Sequence, residues 1–200
     1  MTRSPGRSAT RPAEVVYLGL GTNLGDRAAH LEQAFFALAT HPEMEVKAVS
    51  RVYETEYVGP GTQDPYFNAC VKLETSLAPR VLLAVLKGAE ERQGRSPGGH
   101  MQPRSIDLDI LLYGDQVLAA PGLNLPHPQI RDRAFVLEPL AELAAREKFP
   151  DSGETIGSAC AKIRRKSGPW IEVRQDLDLS NALPDNNKEG WRAALAVHSR

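Results

Sequence analysis

The most constraining feature of the chain is the run Ile106-Asp107-Leu108-Asp109-Ile110, in which apolar and acidic residues alternate without exception. A period of two sends successive side chains to opposite faces of a strand. Both carboxylates then share one face, and Ile106, Leu108, Ile110 and, by continuation, Leu112 share the other. Two neighbouring anions repel each other. The arrangement is tolerable as a solvated strand face, or where a divalent cation or cationic side chains stand between the carboxylates, and paired carboxylates with water and phosphate oxygens suit Mg²⁺.

The rest of the chain supplies a frame for that strand. Glu14 to Gly21, EVVYLGLG, reads as a buried strand ending in glycine, and Asp26 caps a helix whose Leu31, Ala34, Phe35 and Leu38 form one apolar stripe. Residues 44–57, with Val46, Ala48 and Val52 at even spacing, and 67–75, with Phe67, Ala69, Val71 and Leu73 alternating, read as half-buried strands. VGPGTQDPY between them is a candidate functional loop. Pro79 opens a second helix to about residue 93, with Gly94 as its stop. The aspartate strand follows, with a short return across Gly114-Asp115.

The order βαββαβ predicts an α+β fold: a ferredoxin-like antiparallel sheet with both helices on one face and the other face free, plus a C-terminal helical extension. A third helix is expected over Glu138–Arg146 with Pro139 at its start. After Gly153 the pattern weakens, so one short element near 169–174 and then a poorly ordered tail are expected. The corresponding division is a disordered arm over 1–12, one domain over 13–160 and a partly disordered extension over 161–200.

Composition excludes several classes. The 24 Lys and Arg against 25 Asp and Glu give a net charge of −1, so no overall basic field draws the chain to nucleic acid or a membrane surface. Cys70 and Cys160 are the only cysteines, too few for a disulfide framework or a zinc site of thiolates alone, and point to a reducing compartment. The first twelve residues lack the apolar core of a signal peptide, and no stretch approaches the ~18 apolar residues of a membrane span. A cytoplasmic monomer is the expectation.

Arg95 and Arg104 lie upstream of the aspartates, and His127, Arg131 and Arg133 lie downstream in a loop able to fold back over the same face. Singly, each arginine reads as a solvated or ion-paired surface residue. Together, around two carboxylates, they point to a nucleoside triphosphate with its magnesium. GLGTNLG invites a dinucleotide reading, but its spacing is G-x-G-x-x-x-G and no acidic ribose partner follows, so the glycines are assigned to a tight strand-to-helix turn. Tyr66 and Asn68 share one parity of their strand, which offers a ring and an amide together to a flat heterocycle.

Four segments, LGLGTNLGD at 18–26, DPYFNACVKLET at 64–75, PRSIDLDILLYG at 103–114 and LPHPQIRDRAFVLEPLAEL at 125–143, resemble in sequence and order the 6-hydroxymethyl-7,8-dihydropterin pyrophosphokinases of folate biosynthesis. The resemblance implies transfer of diphosphate from ATP to the hydroxymethyl oxygen of the dihydropterin, with release of AMP. It implies two Mg²⁺ ions on Asp107 and Asp109, with Arg95 and Arg104 joining them as catalytic residues. ATP contacts fall to Glu90, Arg95, Ile110, His127, Arg131 and Arg133. Pterin contacts fall to Tyr66, Phe135 and Asn68, and to Thr55, Tyr57 and Val58. The segment SPGGHMQP at 96–103 departs from the family pattern: it lacks the basic residues and tryptophan of a closing lid, and is expected to be mobile without ligand. Two other classes are set against this reading. An RNA- or metal-binding module needs exposed aromatics and basic residues on the sheet, and a dinucleotide oxidoreductase needs parallel strands.

Overall fold

A computed structural model describes residues 11–95, 102–165 and 170–183. The elements are β1 (Glu14–Thr22), α1 (Arg27–Ala39), β2 (Met44–Val49), β3 (Tyr53–Thr55), β4 (Tyr66–Thr75), α2 (Pro79–Arg92), β5 (Asp107–Tyr113), β6 (Leu118–Ala120), β7 (Leu123–Leu125), α3 (Ala134–Ala144), α4 (Ile156–Arg164) and β8 (Ile171–Val173), then a 3₁₀ turn, Leu179–Ala182. The main sheet runs β5-β1-β4-β3-β8, with β2 also on β4, and its pairings are antiparallel. That pairing removes the dinucleotide oxidoreductase reading, which needs a parallel sheet.

Strand parity sorts the apolar side chains. Val16, Leu18 and Leu20 of β1, Phe67, Ala69, Val71 and Leu73 of β4, and Leu108 and Ile110 of β5 enter one core with Leu31, Phe35 and Leu38 of α1 and Leu82 and Leu86 of α2. Asp26 caps α1 by accepting the Ala29 N–H at 3.0 Å, and Gly94, at φ +82°, follows the end of α2.

The second face is not free, as the order of elements had suggested. Tyr17, Cys70, Leu111 and Leu112 form another core there with Leu137 and Leu140 of α3 and Ile156 and Cys160 of α4. Leu112 was expected on the first face. A bulge in β5 opposite Tyr17/Leu18 sends Leu111 and Leu112 to the same side and returns Tyr113 to the main core.

Three other expectations need correction. The single strand over 44–57 is two, β2 and β3. A bulge between Val46 and Ala48 places Val46, Val49 and Val52 in the core, and Ser50 turns the chain by accepting the Cys70 N–H on its hydroxyl. The third helix begins at Ala134 because the Arg133 carbonyl accepts from Val136 and Leu137, so Pro139 lies inside it. Residues 118–120 pair with 123–125 in a hairpin of their own instead of returning onto β5.

Beyond α4 the described residues hold a strand and a short turn, where a helical extension with a loose tail was expected. β8 lies in the predicted place, but residues 175–183 are packed, with Leu179 and Leu183 3% exposed in the main core. Residues 1–10 of the arm expected over 1–12, residues 96–101 of the segment 96–103, and residues 166–169 and 184–200 of the extension lie outside the described residues. Among the described residues no helix is long and apolar enough to cross a membrane.

Candidate active site

The helices α3 and α4 cover only part of the second sheet face. The remainder, Gly19 and Gly21 of β1, Asn68 of β4 and Asp107 and Asp109 of β5, forms the floor of a cavity of about 420 Å³. Its walls are Thr55 at the end of β3 and residues 56–58 after it, Tyr66, Arg104, His127 and Gln129 before α3, and Arg133 with Phe135, Val136 and Pro139 of α3. Both glycines leave little room above them. A Cβ on Gly19 would meet the Leu111 side chain at 3.3 Å, and one on Gly21 would meet Asn68 Oδ1 at 3.1 Å.

The two aspartates are held very differently. Asp107 accepts from Arg95 Nη1 at 2.5 Å on one oxygen and from Arg104 on the other. Burial works against its charge, but Arg104 and Arg95 outweigh it and hold the carboxyl below the usual range. Asp109 faces Lys87 Nζ at 3.9 Å, and burial together with the charge of Asp107 pushes its carboxyl up. One carboxylate is saturated by guanidinium groups and its neighbour is left short of positive charge. Burial lowers the His127 imidazole, against the pull of Asp109.

Glu90 lies along the outer edge of β5 at 2% exposure. It accepts the Leu108 N–H at 2.7 Å and Lys87 Nζ at 2.8 Å and is ion-paired with Arg95 at 2.5 Å, so it fixes the β5 edge and the cations beside Asp107. Of the residues expected to face a nucleotide, His127 and Arg133 line the cavity, and Arg95 reaches it through Asp107. Ile110 sends its side chain into the main core. Arg131 turns to Asp151, at 3.1 and 2.5 Å, and lies over the Phe149 ring.

The residues expected to face a heterocycle converge. Thr55, Tyr57, Val58, Tyr66, Asn68 and Phe135 all line the cavity, and Asn68 Nδ2 donates to Thr55 Oγ1 at 2.8 Å. The Tyr57 and Tyr66 rings lie nearly parallel, 6.3 Å apart. Sequence reasoning missed Lys87, although its place three residues before Glu90 on a helix puts the two on one face. It also missed the floor glycines, read there only as a turn.

Comparison with known proteins agrees with this geometry. A sequence model described as 7,8-dihydro-6-hydroxymethylpterin-pyrophosphokinase (HPPK) matches residues 17–145. Proteins named 2-amino-4-hydroxy-6-hydroxymethyldihydropteridine pyrophosphokinase are similar to the chain. The Pseudomonas aeruginosa protein is 42% identical over 136 residues, 68% of this chain and 84% of that one. That of Synechocystis sp. is 42% identical over 181 residues, 90% of this chain and 91% of that one. That of Bacillus subtilis is 39% identical over 155 residues, covering 77% and 93%. The fold is also that of part of a crystallised Plasmodium falciparum HPPK-DHPS triple mutant, with a TM-score of 0.62 at 16% identity. That match covers 78% of this chain, which spans 44% of the longer Plasmodium chain. With the matched region running from β1 through α3 and so containing the floor, the aspartate pair and the aromatic wall, the chain belongs to the 7,8-dihydro-6-hydroxymethylpterin-pyrophosphokinase family.

Proposed function

We propose that this chain transfers the diphosphate of ATP to the hydroxymethyl oxygen of 6-hydroxymethyl-7,8-dihydropterin, releasing AMP and supplying the pterin diphosphate used in folate biosynthesis. The observation that carries the reading is the place of the aspartate pair within one cavity. Its lining brings together a ring, an amide and a hydroxyl suited to a flat heterocycle, Tyr66, Asn68 and Thr55, with donors suited to phosphates, the guanidinium groups of Arg104 and Arg133 and the imidazole of His127.

The pterin would lie between Tyr66 and Phe135, its edge read by Asn68 and by the backbone of Thr55, Tyr57 and Val58. The triphosphate would extend past Arg104, Arg95, His127 and Arg133, with β-phosphorus in line with the hydroxymethyl oxygen. Such a transfer asks little covalent work of the protein; alignment and neutralisation of charge carry it. Arg95 and Arg104 are already held in place by Asp107, so they are oriented before substrate arrives. Glu90, Ile110 and Arg131 belong to the same proposal, the first as the support under Arg95.

Asp107 and Asp109 suit a hard divalent cation. They share one sheet face; the charge left uncompensated at Asp109 favours a cation there, and Asp107 would join it by giving up one of its two guanidinium partners. Bound Mg²⁺, two ions in our reading, would neutralise phosphate oxygens. The strand order β5-β1-β4, with β2 and β3 on the far side of β4, supports the ferredoxin-like reading of the fold. A monomer in a cytoplasmic setting belongs to the same proposal, and two buried free cysteines fit that setting.

The test is chromatography of nucleotides after incubation with ATP, Mg²⁺ and hydroxymethyldihydropterin. AMP should accumulate only when the pterin is present. ADP in its place, or AMP independent of pterin, would refute the proposal.

A further inference from the structure

We propose that Arg174, acting through Glu54, is a positioning residue for the heterocycle-reading wall of the site, an inference that rests on the pterin reading above. Residues 170–183 lie beyond the family match at 17–145, yet they close the sheet edge on which that wall is built.

β3 ends at Thr55, and the chain continues from it into the cavity wall. The outer edge of β3 is paired along its length with β8, Tyr53 with Val173, Glu54 with Glu172 and Thr55 with Ile171. The pairing is extended at both ends: Arg174 N–H donates to the Val52 carbonyl at 2.9 Å, and Glu56 N–H donates to the Trp170 carbonyl at 3.3 Å. The second bond ties down the wall itself.

Side chains lock the same place. Glu54, 18% exposed, accepts from Arg27 Nη1 at 2.9 Å and from Arg174 Nη1 at 3.0 Å. Both guanidinium groups lie over the Phe67 ring, at 3.8 and 4.8 Å from its centre, and Arg27 also donates to the Pro65 carbonyl at 2.7 Å. Glu54 stands directly opposite Phe67 across the two strands. The next residues along the strands, Thr55 and Asn68, carry the hydrogen bond that faces the cavity. The ion-paired cluster and the reading pair are therefore the back and front of the same stretch of β3 and β4.

The anchor is continuous. Leu179 and Leu183 seat the segment after β8 in the core shared with α1, and Arg27 is the first residue of α1. Arg174 thereby couples the C-terminal segment to the place where Thr55 and Asn68 are held. It touches neither substrate nor reacting atoms in this account, so its effect is on geometry.

The experiment compares Arg174→Gln, Glu54→Gln, Arg174→Lys and the double Gln variant with the wild-type enzyme, with KM for each substrate, kcat and melting temperature as readouts. The KM for hydroxymethyldihydropterin should rise roughly three- to tenfold in either Gln variant, while the KM for ATP and kcat stay within about twofold. The double variant should be no worse than Glu54→Gln alone, which also loses the pairing with Arg27, because Arg174 acts on the wall through Glu54, and Arg174→Lys should recover part of the loss. Arg164→Gln, which breaks a comparable ion pair with Glu138, should leave both KM values unchanged. An unchanged pterin KM in an active Arg174→Gln enzyme overturns the positioning role, as does an equal rise for both substrates with a lowered melting temperature. Absence of pterin-dependent AMP release by the wild-type chain would instead refute the activity and this inference with it.

Discussion

Replacing Asp109 with Asn should stabilise the metal-free protein at neutral pH while removing turnover, whereas Asp107→Asn should destabilise it. Residues i and i+2 on a strand are about 7 Å apart. At an effective dielectric near 20, two carboxylates at that spacing repel by roughly 2 kcal/mol. Asp107 offsets this with direct bonds from Arg95 and Arg104; Asp109 has Lys87 at 3.9 Å, which recovers part of it. Asn at 109 keeps the shape and removes the repulsion, for a gain of about 1 kcal/mol, or roughly 2–4 °C in a chain of this length. Asn at 107 strips two guanidinium groups of their counter-charge. The cost is about 2 kcal/mol, below the ~3–5 of a fully buried pair because water reaches the cavity, so melting should fall by roughly 4–8 °C.

The pH dependence follows from the opposite shifts. Asp109, whose folded carboxyl is raised, is a cost above that value, and the advantage of Asp109→Asn should fade as pH falls through it toward the unfolded range. Asp107, whose folded carboxyl is lowered, contributes stability above the unfolded value and loses it as pH falls through the folded one. Thermal melts in chelator from neutral to acidic pH decide the matter. Melting shifts of the same sign for both variants at neutral pH would refute the charge asymmetry.

Tyr66→Ala and Phe135→Ala should each weaken pterin binding by roughly 1–3 kcal/mol and leave ATP binding nearly unchanged, as read by calorimetry with each ligand separately. Equal losses for both ligands would count against a pterin sandwich. Gly21→Ala would bring a methyl group to 3.1 Å from Asn68 Oδ1, so pterin affinity should fall several-fold, roughly 1 kcal/mol, with the melting temperature nearly preserved. Leu179→Ala should cost about 2 kcal/mol by opening a cavity beside α1, a drop of roughly 4–8 °C by calorimetric melting. A melting temperature within a degree of wild type, roughly the scatter of such measurements, would mean the segment after β8 is not part of the core.

Much of the site was legible because strand parity is a local signal. The alternation around Asp107 and Asp109 and the shared parity of Tyr66 and Asn68 place those four residues on one face, and all four line the cavity. What was not legible depends on partners distant in the chain. The bulge that moves Leu112 to the second face exists because β1 and β5 shift register beside Tyr17, and nothing in the β5 sequence announces it. Pro139 was placed at a helix start by its usual preference, but the Arg133 carbonyl starts α3 earlier and thereby carries Phe135 into the cavity wall. Residues 175–183 show no period, yet two leucines in them suffice to seat the segment in a core made by other elements. Glu90 carried no sign that it braces the edge of β5, because its partners Leu108 and Arg95 belong to that strand and to the turn past the end of its own helix.

The central claim is that the bond to β-phosphorus of ATP is the one that changes. Phosphorus-31 NMR of the pterin product tests it most directly. Two mutually coupled phosphorus resonances from a diphosphate ester are expected, with AMP as the only nucleotide formed. A single uncoupled phosphate ester accompanied by ADP would place attack at γ-phosphorus and contradict it.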